Sequence, residues 1–111
     1  MQKRGFEFLR QQLQRAAGER VVVERDGVRL FETTAVIAKT SFEDIDGEGR
    51  RLTSYIDDFV FDGRLGYRPK AGDIYVALGD RFKARILGDE LWRWEDPYNT
   101  QLRVHAMKIK G

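Results

Sequence analysis

The chain has 111 residues and a mass of 12.9 kDa, with 41% hydrophobic and 34% charged residues and a formal net charge of +2, the size and balance of one soluble domain with a core of its own. It contains no Cys and a single His, which excludes disulfides, thiol catalysis, Cys-ligated zinc and any site that needs two imidazoles. No apolar run approaches the roughly 18 residues of a membrane span, and the N-terminus MQKRGFEFLRQQLQR lacks the apolar stretch of a signal peptide, so a cytoplasmic domain without a membrane partner is expected.

The first predicted element is a helix over about 4–17. Phe6, Leu9, Leu13 and Ala16 or Ala17 recur at helical spacing with Arg10, Gln11, Gln14 and Arg15 between them, and Gly18 is a natural stop. A strand over 20–25 holds three consecutive valines and runs into Asp26-Gly27, a pair suited to a two-residue hairpin turn. The second strand is expected over 28–39, with a break or bend near Thr33-Thr34. Residues 42–49 (Phe-Glu-Asp-Ile-Asp-Gly-Glu-Gly) are acidic and glycine-rich and read as a loop. A third strand over 51–61 puts Thr53, Tyr55 and Phe59 on one face.

Glycines 63, 66 and 72 with Pro69 make 62–73 a long connection. Ile74, Val76 and Leu78 then alternate, as do Phe82, Ala84 and Ile86 against Lys83 and Arg85, which predicts a hairpin about Gly79-Asp80. A short strand over 91–94 follows, then a turn at Asp96-Pro97-Tyr98-Asn99 with Pro where its fixed φ fits, and a final strand over 102–109. The expectation is a mainly β chain, a small barrel or sandwich of six to seven strands with one N-terminal amphipathic helix, in a single domain over 1–111 whose barrel spans about 20–110.

Charge is unevenly placed. Residues 1–30 carry 7 basic and 4 acidic side chains, residues 41–62 carry 2 and 7, and residues 81–111 carry 7 and 4. An acidic middle between basic flanks suits contacts between copies or with charged partners. No catalytic constellation emerges. His105 lies in an alternating strand and reads as a surface or subunit-contact histidine, and neither Ser41 nor Ser54 sits in a glycine-flanked elbow. Asp44, Asp46 and Glu48 resemble the start of a calcium loop, yet the twelfth position is Tyr55 rather than Glu. Asp57 and Asp58 point to opposite faces of a strand. Gly66 and Gly72 are followed by Asp73-Ile74 instead of Lys-Ser/Thr, and no Gly-x-Gly-x-x-Gly is present. Neither an enzyme nor a cofactor is expected.

The most unusual stretch is Leu91-Trp92-Arg93-Trp94-Glu95-Asp96-Pro97-Tyr98, in which the two Trp share one strand face. Three roles compete for them: core, an interface anchor enriched in Trp, Tyr and Arg, or a base-stacking platform. Pro69-Lys-Ala-Gly72-Asp73, followed after a hairpin by Trp92-Arg93-Trp94-Glu-Asp96-Pro97-Tyr98 and Leu102-Arg103-Val104-His105, resembles small phage and prophage proteins of the head–tail joining region. The resemblance covers residues 69–105 well and the N-terminal part loosely. It implies a non-enzymatic structural protein of the neck of a long-tailed phage, of the head-completion or stopper kind. Such a protein forms a homo-oligomeric ring between the portal or adaptor and the tail-terminator or tail-tube proteins. It retains the packaged DNA, which passes without sequence-specific binding, and docks the tail in a virion assembled in the host cytoplasm. Asp44, Asp46 and Glu48 are then candidates to face the DNA channel, and Trp92, Arg93, Trp94, Tyr98, Arg103 and His105 candidates for an interface. The alternative is a small β-barrel that binds single-stranded nucleic acid through Trp92, Trp94, Tyr98 and nearby Arg residues.

Overall fold

A computed structural model describes residues 18–109. It contains seven strands: β1 (Gly18–Arg25), β2 (Val28–Ile45), β3 (Arg51–Asp62), β4 (Ile74–Ala77), β5 (Asp80–Ala84), β6 (Trp92–Trp94) and β7 (Gln101–Ile109), with a single 3-10 turn at Gly63–Leu65. The helix predicted over 4–17 lies outside the described residues.

All pairings are antiparallel, and the order β3-β2-β1-β4-β5-β7 is closed by β7 pairing back onto β3. The result is a six-stranded barrel with β6 as an extra strand. Within the closed part of the barrel no strand is left with an exposed edge, the usual liability of a β protein. β7 does most to achieve it. One of its edges pairs with β3 over 101–106, while the other pairs with β6 over 102–104 and with β5 over 106–109. His105 is the crossover residue: its N–H donates to Leu91 O and its carbonyl accepts from Arg85 N–H.

Period-two alternation fills the barrel. Val21, Val23, Phe59, Phe61, Tyr75, Phe82, Leu102 and Val104 point inward together with Ala35, Ala77, Ala84 and Ala106. The alanines make room for an aromatic cluster in which Phe59 meets Tyr75 at 4.8 Å and Phe82 at 5.1 Å, while Phe61 meets Tyr67 edge-on at 5.3 Å. Mixing large and small residues is how a narrow barrel fills its interior without voids.

The Asp26-Gly27 turn forms as expected, with φ of 53° and 78°. Three details differ from the sequence reading. β2 runs unbroken through Thr33 and Thr34, which pair with Val21 and Arg20; its register shifts instead between Val23 and Glu24, opposite Arg29–Phe31. β2 also continues to Ile45, so Phe42–Ile45 is strand and only 46–50 form the turn. In β4 the buried residues are Tyr75 and Ala77, not the aliphatic set Ile74, Val76 and Leu78, and Leu78 is exposed in the turn with φ 55°. Ile74 and Val76 alternate as cleanly as Tyr75 and Ala77. Pairing with β1 and β5 selects the second set, because Tyr75 lies opposite Phe82 and its hydroxyl has a buried partner.

The 3-10 turn fits against the 95–100 segment through one glycine. Gly63 N–H donates to Thr100 O at 2.8 Å, and a Cβ at this position would lie 2.3 Å from Asn99 O and 2.9 Å from the Trp94 ring. Gly63→Ala is therefore expected to cost about 1–3 kcal/mol as an overpacked contact, measured by urea unfolding. Gly47→Ala, with nothing within 4 Å, is the control expected to change little.

Candidate functional site

Two features leave the closed barrel: a β2–β3 ribbon at one end, and the β6 wall with the segments that flank it. The β1 pairing of β2 stops at Val36, and the β7 pairing of β3 stops at Asp57, whereas β2 and β3 stay paired out to Ile45 and Arg51. Among the described residues the outer six rungs, Thr40–Ile56 to Ile45–Arg51, thus form a two-stranded arm. At about 3.3 Å per residue it is about 20 Å long. Ile45, Leu52 and Tyr55 on it are 66%, 48% and 64% exposed.

The tip of the arm is built by Asp46. Its Oδ1 accepts from the N–H groups of Glu48 and Arg50, both at 2.9 Å, and its Oδ2 accepts from Arg50 Nε at 2.9 Å. The Arg50 N–H bond, first of all, holds the Asp46 carboxyl below its ordinary pKa, and the further bonds from Glu48 and Arg50 outweigh its slight desolvation. Asp46 is thus a turn former. Of the other channel-facing candidates, Asp44 stands in β2 opposite Leu52, and Glu48 is exposed with Arg50 at 3.2 Å.

At the base of the arm, on the outside of the barrel, lies a charged cluster that no local pattern announces. Asp58, fully buried, is its centre. Its Oδ2 accepts from Thr40 Oγ1 at 2.5 Å and from an Arg103 NH group at 2.6 Å, while its Oδ1 is 2.9 Å from His105 Nδ1. His105 Nε2 lies 2.6 Å from Glu90 Oε2, and Arg103 Nε also donates to Glu95. Burial works against the Arg103 charge, but the hydrogen bonds and charges of Glu95 and Asp58 outweigh it and hold its pKa above the ordinary value. One buried carboxylate thereby ties the root of the arm to both flanks of β6. Its neighbour Asp57 faces the other way, as strand alternation requires.

A second cluster sits at the opposite side of the barrel. Arg25 forks onto Asp73 with both bonds at 2.8 Å, Tyr67 donates its hydroxyl to Asp73 Oδ2 at 2.5 Å, and Lys70 N–H donates to the same oxygen at 3.0 Å. The Tyr67 and Tyr75 hydroxyls are 2.7 Å apart. Burial, above all, pushes both phenols far above their ordinary pKa, so they remain neutral. Burial also opposes the Asp73 charge, yet the bonds from Arg25, Tyr67 and Lys70 together keep its carboxyl below the usual range.

The interface candidates separate into two kinds. Trp92 and Trp94 are half-buried, meet edge-on at 5.4 Å and rest against the core, with the Arg68 guanidinium 5.9 Å and 5.2 Å from their ring centres. Arg103 and His105 are enclosed in the Asp58 cluster. Arg93 and Tyr98 face outward, Tyr98 being 83% exposed. Asp96 organises the turn that carries Tyr98, accepting from Thr100 N–H at 2.8 Å, Gln101 N–H at 3.0 Å and Thr100 Oγ1 at 2.6 Å.

Sequence reasoning missed Asp58, Asp73, Glu90 and Arg25 as organising residues. Asp73 alone carried a signal, as the last residue of the Pro-x-x-Gly-Asp string. Among the described residues no group of three His, Cys, Asp or Glu is placed to hold a metal ion, and no helix is long and apolar enough to cross a membrane.

The family model for phage head–tail joining proteins matches residues 1–111. The chain belongs to that family. No curated protein matches the chain. Membership makes this head–tail joining protein a structural virion component of the neck, one that contacts other phage head and tail proteins. The residues that carried the resemblance have structural duties here: Asp73 clamps the 66–73 segment to β1, Asp96 and Pro97 form the turn after β6, Leu102 is core, and His105 braces Asp58.

Proposed function

We propose that this head–tail joining protein is a ring subunit of the neck, non-enzymatic, placed between the portal or adaptor and the tail-terminator or tail-tube proteins. In that place it retains the packaged DNA and docks the tail, in a virion assembled in the host cytoplasm. The observation that carries the reading is the arm. A two-stranded ribbon is marginal in water by itself, and this one holds exposed Ile45, Leu52 and Tyr55 outside a barrel that is already closed. Such a device gains its stability from a neighbouring molecule. A ring made by head-to-tail contacts supplies neighbours on two different surfaces.

The acidic tip suits DNA that slides rather than sticks, since carboxylates repel phosphate. Arg93 and Tyr98, backed by Trp92, Trp94, Arg103 and His105, form the second candidate contact surface. Enclosure of the two Trp against the core, with Arg68 laid over them, disfavours the single-stranded nucleic-acid alternative, which needs open ring faces.

Density-gradient separation of nuclease-treated lysate, with the chain followed by mass spectrometry, tests this. Migration with DNA-filled particles in a few copies each is expected. Retention in the soluble fraction while particles form would remove the neck ring. Within particles, Asp44→Asn with Glu48→Gln is expected to alter DNA retention while leaving the Asp46 turn intact; unchanged retention would remove the channel role. Asp46→Asn serves as a separate probe of the tip itself.

A further inference from the structure

We infer that the β2–β3 arm of one copy seats on the β5–β7 wall of the next copy, in the groove lined by Gly72, Lys83, Arg85, Ile86, Met107 and Ile109. This rests on the ring reading and gives it a specific contact. The groove combines apolar side chains, with Ile86 52% and Met107 38% exposed, with the cations Lys83, which stands opposite Met107, and Arg85. Arg85 lies along it with its guanidinium 3.1 Å from Met107 Sδ.

Charge points to the occupant. Elsewhere on the barrel Arg25, Arg64, Arg81 and Arg103 each meet a carboxylate of their own chain. Lys83 and Arg85 meet none among the described residues. The arm brings four acidic and two basic residues within 43–51, together with exposed Ile45 and Leu52. An acidic, apolar arm and a basic, apolar groove on one chain are complementary but distinct surfaces, the requirement for a head-to-tail contact that propagates around a ring. The arm is about 20 Å long, ample to leave its own barrel and lie along a neighbour.

The absence of Cys permits a direct test. Gradient-purified particles assembled with the double variant Ile45→Cys/Ile86→Cys are oxidised and run on a denaturing, non-reducing gel. Both positions are exposed, so neither substitution opens the core. Bands at two, three and more chain masses are expected, each lost on reduction. Ile86→Cys alone should give none, and Ile45→Cys alone at most a dimer. Single-chain bands from particles that hold several copies would overturn the arm-in-groove contact and leave the neck ring standing. A chain missing from particles would remove both. As a second measurement, Lys83→Glu/Arg85→Glu in the cross-linkable background should abolish the ladder, and adding Glu43→Lys should restore it at least in part. A ladder indifferent to both changes would show that charge does not choose the partner surface and would overturn the assignment.

Discussion

Asp73→Ala is expected to destabilise the fold by about 3–5 kcal/mol, the usual cost of removing one partner from a buried ion pair. The change leaves the Arg25 guanidinium without its forked acceptor and takes from Tyr67 the carboxylate that receives its hydroxyl. It also frees the Lys70 N–H that fixes the 66–73 turn. A small domain has about 5–15 kcal/mol in total, so urea unfolding should show a large fall in midpoint with the slope conserved. The same carboxylate sets a pH dependence. Its folded pKa lies below the unfolded value of about 3.9. Its contribution is therefore complete above that value and is lost as pH falls through the folded pKa. Asp46, Asp62 and Asp96 are lowered as well and act with the same sign. Acid titration of stability should thus show a decline below about pH 4, shallower in Asp73→Asn. An unchanged acid limb in that variant would mean that Asp73 is not the group responsible.

Asp58→Ala is the second large effect, again about 3–5 kcal/mol, with a different signature. Asp58 touches Thr40 at the root of the arm, Arg103 on β7 and His105 at the point where β7 changes partner. Its loss leaves the Thr40 hydroxyl, the Arg103 guanidinium and the His105 ring without their common acceptor, while Glu95 stays with Arg103 and Glu90 with His105. Asp58→Leu/Arg103→Met, which removes charge from both sides, should cost less than the sum of the single changes, because the penalty lies in the orphaned charge more than in the lost pair. Additive losses would indicate that the two side chains act independently. Because the cluster braces both the arm and the β6 flanks, Asp58→Ala should also lower incorporation into particles, beyond what an equally destabilising core change such as Val104→Ala produces.

The comparison of Asp73 with Asp58 shows where a sequence informs and where it stops. Pro69-Lys-Ala-Gly72-Asp73 and Asp96-Pro97-Tyr98-Asn99 are local: each Asp accepts from N–H groups a few residues away in the same turn. A reader of the string can find them. Asp58 meets His105 across 47 residues and Arg103 across 45, and Asp73 meets Arg25 across 48. No spacing rule brings those pairs together.

By itself the sequence determined the strand-rich class, the turn at Asp26-Gly27, the shared inward face of Phe82 and Ala84 (though not of Ile86, which is exposed), and the family, because alternation, turn chemistry and short motifs act between near neighbours. Tertiary structure decided the rest. Strand parity in β4 was ambiguous by alternation alone, since Ile74 and Val76 are as hydrophobic as Tyr75 and Ala77; pairing with Phe82 and the Tyr67 hydroxyl selected the second set. The acidic run 42–45 looked like loop because charge and glycine usually mark one, yet pairing with β3 holds it extended to Ile45. Barrel closure by β3 and β7 brought Asp58, Arg103 and His105 to one place, and it left the arm outside. Closure is a long-range event, fixed by burying one face of every strand at once, so its consequences are carried by no segment of the chain alone.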